Sequence, residues 1–299
     1  MFWTGEFTDK PYLAILSFLF TQNTGLHLES YSPDRPCRSQ FWMWINPGPA
    51  ASAPNLNALN DMFKGLKANA WSSPFLHPRF KDVIHFKLWN TTEQLDSTPE
   101  LKDEWRSKDL FTSEGRSFNV PSTSQLKNPP ATSSMNDLTN SDGSKDISHR
   151  TGSKSSETYD RLSVILSDMA RFILCHRFGG IYLDADTVFL RDWEEIWGWK
   201  GAFAYRWSRL ERYNTAVLHL NKNSALGTFL FKTALKNNLD FHPIAIWKYV
   251  KEAHLNHLLL RLPDALFDPA WLTTEDHLER PPQPFFTKYE QYLTFLKLF

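Results

Sequence analysis

With 299 residues, 41% of them apolar, the chain is long enough for one large domain or two small ones around a sizeable core. Its 33 Lys and Arg residues balance 33 Asp and Glu residues, so no net field draws it to nucleic acid or an anionic membrane, and nucleic acid is not an expected partner. Two cysteines, Cys37 and Cys175, are too few for a disulfide framework and too far apart for metal-ligand spacing.

The first apolar run, Pro11 to Phe20, has about half of the ~20 residues that a membrane helix needs. The opening MFWTGEFTDK lacks the basic start of a signal peptide, so no anchor or secretion signal is visible, while the sequon Asn90-Thr91-Thr92 is compatible with a secretory lumen. FWMWIN (Phe41 to Asn46) and VIHFKLW (Val83 to Trp89) read as strands, and between them Asn57 to Ala68 sets Leu59, Met62, Phe63 and Leu66 at helical spacing. Strand, helix, strand in that order predicts an α/β fold with a parallel sheet.

From about Ser107 to Thr158 the composition turns to Ser, Thr, Asn, Asp, Lys, Gly and Pro, which cannot bury enough apolar area to offset the entropy of ordering. This stretch reads as a disordered surface insertion, with an acceptor-binding lid as the alternative. It divides the chain into 1–106, an insertion over 107–158, and 159–299. Beyond it, Leu162, Ile165, Leu166, Met169, Phe172, Ile173 and His176 recur at threes and fours, predicting an amphipathic helix from Tyr159 to Phe178. Gly179 suits the left-handed residue that closes a helix, and Gly180 lets the chain turn at once into a strand, IYLDAD. Strands are expected over Gly201 to Tyr205 and Thr215 to Leu220, and helices over Ser224 to Asn238 and Ile244 to Leu260.

Side chains alternate along a strand, so Tyr182, Asp184 and Asp186 would share one face of IYLDAD. Two carboxylates about 6–7 Å apart repel unless a cation or donors lie between them, and hard oxygen ligands suit Mn²⁺ or Mg²⁺. Taken alone, an Asp-x-Asp tripeptide is better explained by turn residues after a buried strand. Asp168 and Arg171 lie three apart on the preceding helix and face the same way; their simplest reading is a surface ion pair. His176 reads as a packed core residue and Cys175 as an inert thiol. His254 and His257 read as the polar edge of a helix, and the basic residues between Lys200 and Arg212 as a solvated loop.

The stretch from Leu166 to Leu190, LSDMARFILCHRFGGIYLDADTVFL, resembles the D-x-D sugar-binding region of family 32 glycosyltransferases. This group includes alpha-1,4-galactosyltransferases, alpha-1,4-N-acetylglucosaminyltransferases and fungal mannosyltransferases. The match runs through Ser167, Asp168, Arg171, Gly179, Gly180, Tyr182, Asp184 and Asp186. It implies a GT-A-like nucleotide-sugar-binding domain with a mostly parallel central sheet, Mn²⁺ or Mg²⁺ dependence, and retention of anomeric configuration. By the resemblance Asp186 ligates the metal directly. Asp184 touches the sugar or ribose and the metal shell, while Asp168 and Arg171, in the same donor site as Tyr182, hold sugar hydroxyls. MFWTG resembles the end of the family's first strand, placing Trp3 near the nucleotide, and Asn214-Thr215-Ala216-Val217 resembles the Asn-containing strand after the D-x-D, making Asn214 a donor-site candidate. The implied partners are a nucleotide-sugar donor and a glycolipid or glycoprotein acceptor, in a Golgi or secretory lumen. No residue is identified as base or nucleophile.

LPDALFDPAW (Leu262 to Trp271) resembles a stretch near the end of the family's domain, and no His or Asn/Trp segment follows it to help close the metal site, so donor binding with slow turnover is expected. Two other readings compete. In a haloacid-dehalogenase-like phosphatase Asp184 would be nucleophile, Asp186 general acid, and Asp264 and Asp268 later metal ligands. In a transferase homologue without turnover the site would only bind sugar.

Overall fold

The computed structural model of the protein describes residues 1–26, 39–47, 55–107, 157–206, 211–263 and 266–267, with the backbone alone over 157–163. The interior of the expected insertion lies outside the described residues, as do Cys37, Asp264 and Asp268.

In chain order, β1 (Phe2–Thr4) leads to α1 (Asp9–Thr21), β2 (Phe41–Asn46), α2 (Ala58–Ala68), β3 (Ile84–Leu88) and the short α3 (Thr91–Asp96). β1, β2 and β3 form a wholly parallel sheet in that order, with Phe2 opposite Trp44 and Ile45 opposite Leu88. The expected strands at Phe41 and Val83 and the helix between them are therefore present, and they pair as the strand–helix–strand order predicts. On α2 only Met62 and Leu66 of the apolar stripe are buried; Leu59 and Phe63 are exposed. The run from Pro11 to Phe20 lies in α1, which buries Ala14, Ile15 and Phe18.

After the insertion, α4 (Glu157–Phe178) is followed by β4 (Ile181–Leu183), α5 (Glu194–Trp197), β5 (Ala202–Arg206), β6 (Tyr213–His219), α6 (Ala225–Lys236), α7 (Pro243–Glu252) and β7 (Leu259–Leu262). The second sheet has the order β4-β6-β5-β7; β6 runs antiparallel to both neighbours, while β5 and β7 are parallel. Three of the five strand pairings among the described residues are thus parallel, which makes this an α/β fold with mostly parallel pairing.

Helix ends follow their local chemistry. Gly179 and Gly180 both have positive φ, 78° and 86°, and the Gly179 amide closes α4 by donating to the Cys175 carbonyl at 2.8 Å. Ser224 caps α6 by accepting from the Gly227 amide at 3.1 Å. The helix expected from Ile244 to Leu260 is shorter: α7 stops at Glu252, His254 takes the left-handed conformation at φ 57°, and Leu259 to Leu262 turn into β7. His257 is therefore not on a helix with His254, because partnership with β5 outweighs helix continuation.

Two apolar clusters hold these parts together. One joins Phe2, Trp44 and Trp89 to Phe172, Ile173, Tyr182, Leu218, Phe231 and Phe241. The other joins Phe18, Met43 and Ile45 to Leu183, Phe203 and Val217. Each cluster draws on both sheets, and α4 packs against β1, β4 and β6.

Candidate functional site

β4 is only three residues long and ends at Leu183, so IYLDAD is not one continuous strand. The Asp184 amide extends the ladder by one bond to the Ala216 carbonyl at 2.9 Å, and the Thr187 amide then closes a turn onto the Asp184 carbonyl at 3.0 Å. Asp186 sits exposed in that turn, and the shared strand face expected for all three residues does not extend to it. On the far side of β6 the register with β5 shifts: Leu218 opposes Ala204 of β5 but Asn214 opposes Tyr205, so residues 215–217 have no partner on β5. Within this bulge the Ala216 carbonyl accepts from Asp184, and the Thr215 hydroxyl accepts from Arg171 of α4.

Arg171 lies at the centre of the site, buried on α4. Its Nη2 meets Asp168 Oδ1 at 2.9 Å and Asp184 Oδ1 at 3.4 Å. Nη1 donates to Thr215 Oγ1 at 2.8 Å, Nε donates to the Ser167 carbonyl at 3.4 Å, and the guanidinium stands over the Tyr182 ring at 5.5 Å. The Tyr182 hydroxyl is 3.4 Å from Ser167 Oγ. The expected surface ion pair is therefore a buried one, with the Arg171 and Asp168 side chains only 8% and 10% exposed. Periodicity missed this because Asp168 and Arg171 sit beside the apolar stripe and are covered by β4 and β6, not by their own helix.

Burial dominates the electrostatics. It pushes the Asp168 carboxyl up to about 6, Arg171 pulling it down while Asp184 and Asp240 push it further up. Burial likewise raises Asp184, with Arg171 opposing and the neighbouring charge of Asp186 adding to the rise. Arg171 is disfavoured by burial but held above its ordinary value by the charges around it, led by Asp184. Tyr182 is raised well above the phenol range, first by burial and then by Asp184. Cys175, also buried, is pushed up to about 12, in keeping with an inert thiol.

Asn214 lies on β6 at the edge of the bulge, where its side chain donates to the Tyr205 hydroxyl and accepts from the Ala216 amide at 3.0 Å, so it braces the strand that receives Asp184. Trp3 is half-buried on β1 with its indole donating to the Glu6 carbonyl at 2.8 Å. Beside it, at the carboxyl ends of β1, β2 and β3, Gly5, Glu6, Pro47, Trp89 and Asn90 line a cavity of about 730 Å³. Asp184 and Asp186 do not line this cavity, so it and the charged cluster are separate features.

Sequence reasoning missed Thr215 as a site residue, although it named the strand that carries it. It also missed Asp240, which acts electrostatically on Asp168, and His242, on which Arg171 acts.

Residues 81–201 match the family described as glycosyltransferase sugar-binding region containing DXD motif. Among solved structures the chain is similar to "PaToxG Glycosyltransferase", at 13% identity over 86% of this chain and 68% of that one, with a TM-score of 0.41. No curated protein matches it. The matched span, residues 81–201, holds Asp168, Arg171, Tyr182 and a single Asp-x-Asp, that of Asp184 and Asp186.

Proposed function

We propose that the protein transfers a hexose from a nucleotide sugar to a hydroxyl of a glycolipid or glycoprotein, with retention of configuration, in a GT-A-like domain dependent on Mn²⁺ or Mg²⁺. The observation that carries this reading is the buried Asp168–Arg171–Asp184 cluster beside the exposed Asp186, within the matched sugar-binding region. The desolvation of a buried ion pair offsets much of its attraction, so its presence in the matched region supports a functional role more than a stabilising one.

The donor set suits a hard divalent ion. Asp184 and Asp186 offer carboxylate oxygens; Asp184 is raised first by burial, with the charge of Asp186 adding to the rise, and no cluster of three or more candidate ligands occurs among the described residues. Mg²⁺ and Mn²⁺ are commonly held in this manner, by one or two carboxylates with substrate phosphates and water completing the shell. Bound there, the ion would neutralise charge building on the diphosphate leaving group. Arg171, locked by Thr215 and Ser167, and Asp168, paired with it, hold sugar hydroxyls without needing to reorganise. Tyr182 walls the site, and Asn214 keeps the bulge in shape. The cavity at the carboxyl ends of β1 to β3, next to Trp3, suits the nucleotide, because open parallel sheets bind ligands at that edge. The same reading sets the protein in a Golgi or secretory lumen; no helix among the described residues is long and apolar enough to cross a membrane.

Donor binding and hydrolysis across a panel of nucleotide sugars, with and without Mn²⁺, test the reading. One donor is expected to bind only with metal, and Asp186→Ala to weaken that binding by about tenfold or more while the thermal midpoint stays unchanged, since Asp186 is exposed. Calorimetric titration showing the same Mn²⁺ and donor affinities in the variant would remove the metal assignment.

A further inference from the structure

Between α6 and α7 the chain turns through Asn238 and Leu239, both at positive φ, into Asp240-Phe241-His242. Phe241 is 2% exposed and packs on Phe172 of α4, ring centroids 5.3 Å apart, and on Phe231 of α6 at 5.1 Å. Phe172 directly follows Arg171 and stands one helical turn beyond Asp168, so this anchor fixes residues 240–242 beside the buried pair. Three further bonds hold the segment: the Tyr249 hydroxyl donates to the Asp240 carbonyl at 3.1 Å, the His242 amide to Asp240 Oδ1 at 2.9 Å, and the Ile244 amide to His242 Nδ1 at 3.2 Å.

On either side of buried Phe241, the side chains of Asp240 and His242 are exposed. Both are felt by the site. Asp240 helps raise Asp168; His242 is lowered first by burial and also by Arg171, with Asp240 opposing. Because Nδ1 already accepts the Ile244 amide, the neutral imidazole carries its proton on Nε2, which is then a donor pointing away from the cap. Asp240 commits Oδ1 to the turn and keeps Oδ2 as an acceptor.

We propose that Asp240 and His242 bind a pair of adjacent hexose hydroxyls at the mouth of the Asp168–Arg171 site, Asp240 accepting from one and His242 donating to the other. The inference rests on the transferase reading above and extends it to a specificity contact. Each sugar hydroxyl both donates and accepts, so a fixed acceptor and donor two residues apart discriminate by the orientation of the hydroxyl pair. The pair is already ordered by backbone bonds, so binding need not immobilise it. The contact is made by side chains, since the first amide of α7 available to a ligand, that of Ile244, is taken by His242 itself.

The test uses the full chain with Mn²⁺, nucleotide sugars as donors and a panel of methyl hexosides as acceptors. Asp240→Ala and His242→Phe are expected to raise KM about tenfold with free-nucleotide affinity unchanged, the thermal midpoint falling slightly because each variant also loses a bond that orders the turn, and His242→Gln, which keeps an N–H donor, to recover most of the KM loss. A rise already present in donor hydrolysis marks the hexose as the donor's; a rise seen only in transfer marks it as the acceptor's. Variants matching the unaltered chain, a fall in kcat alone, or a parallel loss of free-nucleotide affinity would overturn the inference while leaving the transferase reading in place. An unaltered chain that binds no nucleotide sugar would overturn both.

Discussion

Arg171 shares its guanidinium among four acceptors, those of Ser167, Asp168, Asp184 and Thr215. An exposed pair of this kind would contribute under about 1 kcal/mol, but here removing the cation leaves two carboxylates without compensation in a site that water reaches poorly. Arg171→Met is therefore expected to lower stability by about 3–5 kcal/mol in denaturant unfolding. A loss below about 1 kcal/mol would mean that water enters and solvates Asp168. Arg171→Lys should not rescue, since a single ammonium cannot reproduce the planar fork that reaches Thr215 and Asp168 together. Asp168, Arg171 and Asp184 stood out in the sequence as local patterns, but spacing alone made the first two a surface ion pair, and it was the resemblance that grouped the three. Thr215 was not legible, because its contact depends on a bulge in β6, which no run of residue types announces. Asp240 and His242 were invisible for a related reason: only the packing of Phe241 on Phe172 brings them to the site.

Among the elements, α4, β2 and β3 were read correctly, and stretches where two structures compete were not. α4 runs from Glu157 to Phe178 and ends at Gly179 as its spacing and glycines predict. β4 was read three residues too long because DAD alternates like a strand, whereas its pairing gives out after Asp184. α7 was read too long because Leu255 and Leu258 to Leu260 suit either a helix or a strand, and proximity to β5 decides for the strand. His176 is the packed core residue expected of its stripe: its ring lies 5.1 Å from Phe231 and its Nε2 3.1 Å from Glu100, to which Thr228 of α6 also donates. This buried link requires glycine at position 227, where a Cβ would come within 2.1 Å of His176 Nδ1. Gly227→Ala should thus lower stability by about 1–3 kcal/mol although alanine favours helix by up to ~1 kcal/mol. A raised thermal midpoint would show that the imidazole moves aside without cost.

For the molecule as a whole, the α/β class and parallel pairing followed from element order, but the division into a three-stranded and a four-stranded sheet did not. Nothing in the sequence says that β6 runs antiparallel to β4, which fixes where Asp184 meets Ala216. Because each apolar cluster draws residues from both sheets, neither sheet can lose its packing without exposing the other's core. The described parts are expected to unfold together, with tryptophan fluorescence and far-ultraviolet circular dichroism giving one coincident transition. Two separated transitions would mean that the shared packing is too weak to couple the sheets.

The pair of left-handed glycines after α4 has a bearing on the order in which the site assembles. By reversing the chain in two residues they bring β4 back along the helix that precedes it, so Tyr182 meets Ser167 across only 15 positions, whereas Thr215 reaches Arg171 across 44. Loop-closure entropy grows with the length of chain enclosed, so the helix–strand half of the site is the cheaper to close and can form before β6 arrives. Asp168, Arg171 and the turn that carries Asp184 and Asp186 would then nucleate as one local unit, and the second sheet would condense around a charged centre already in place.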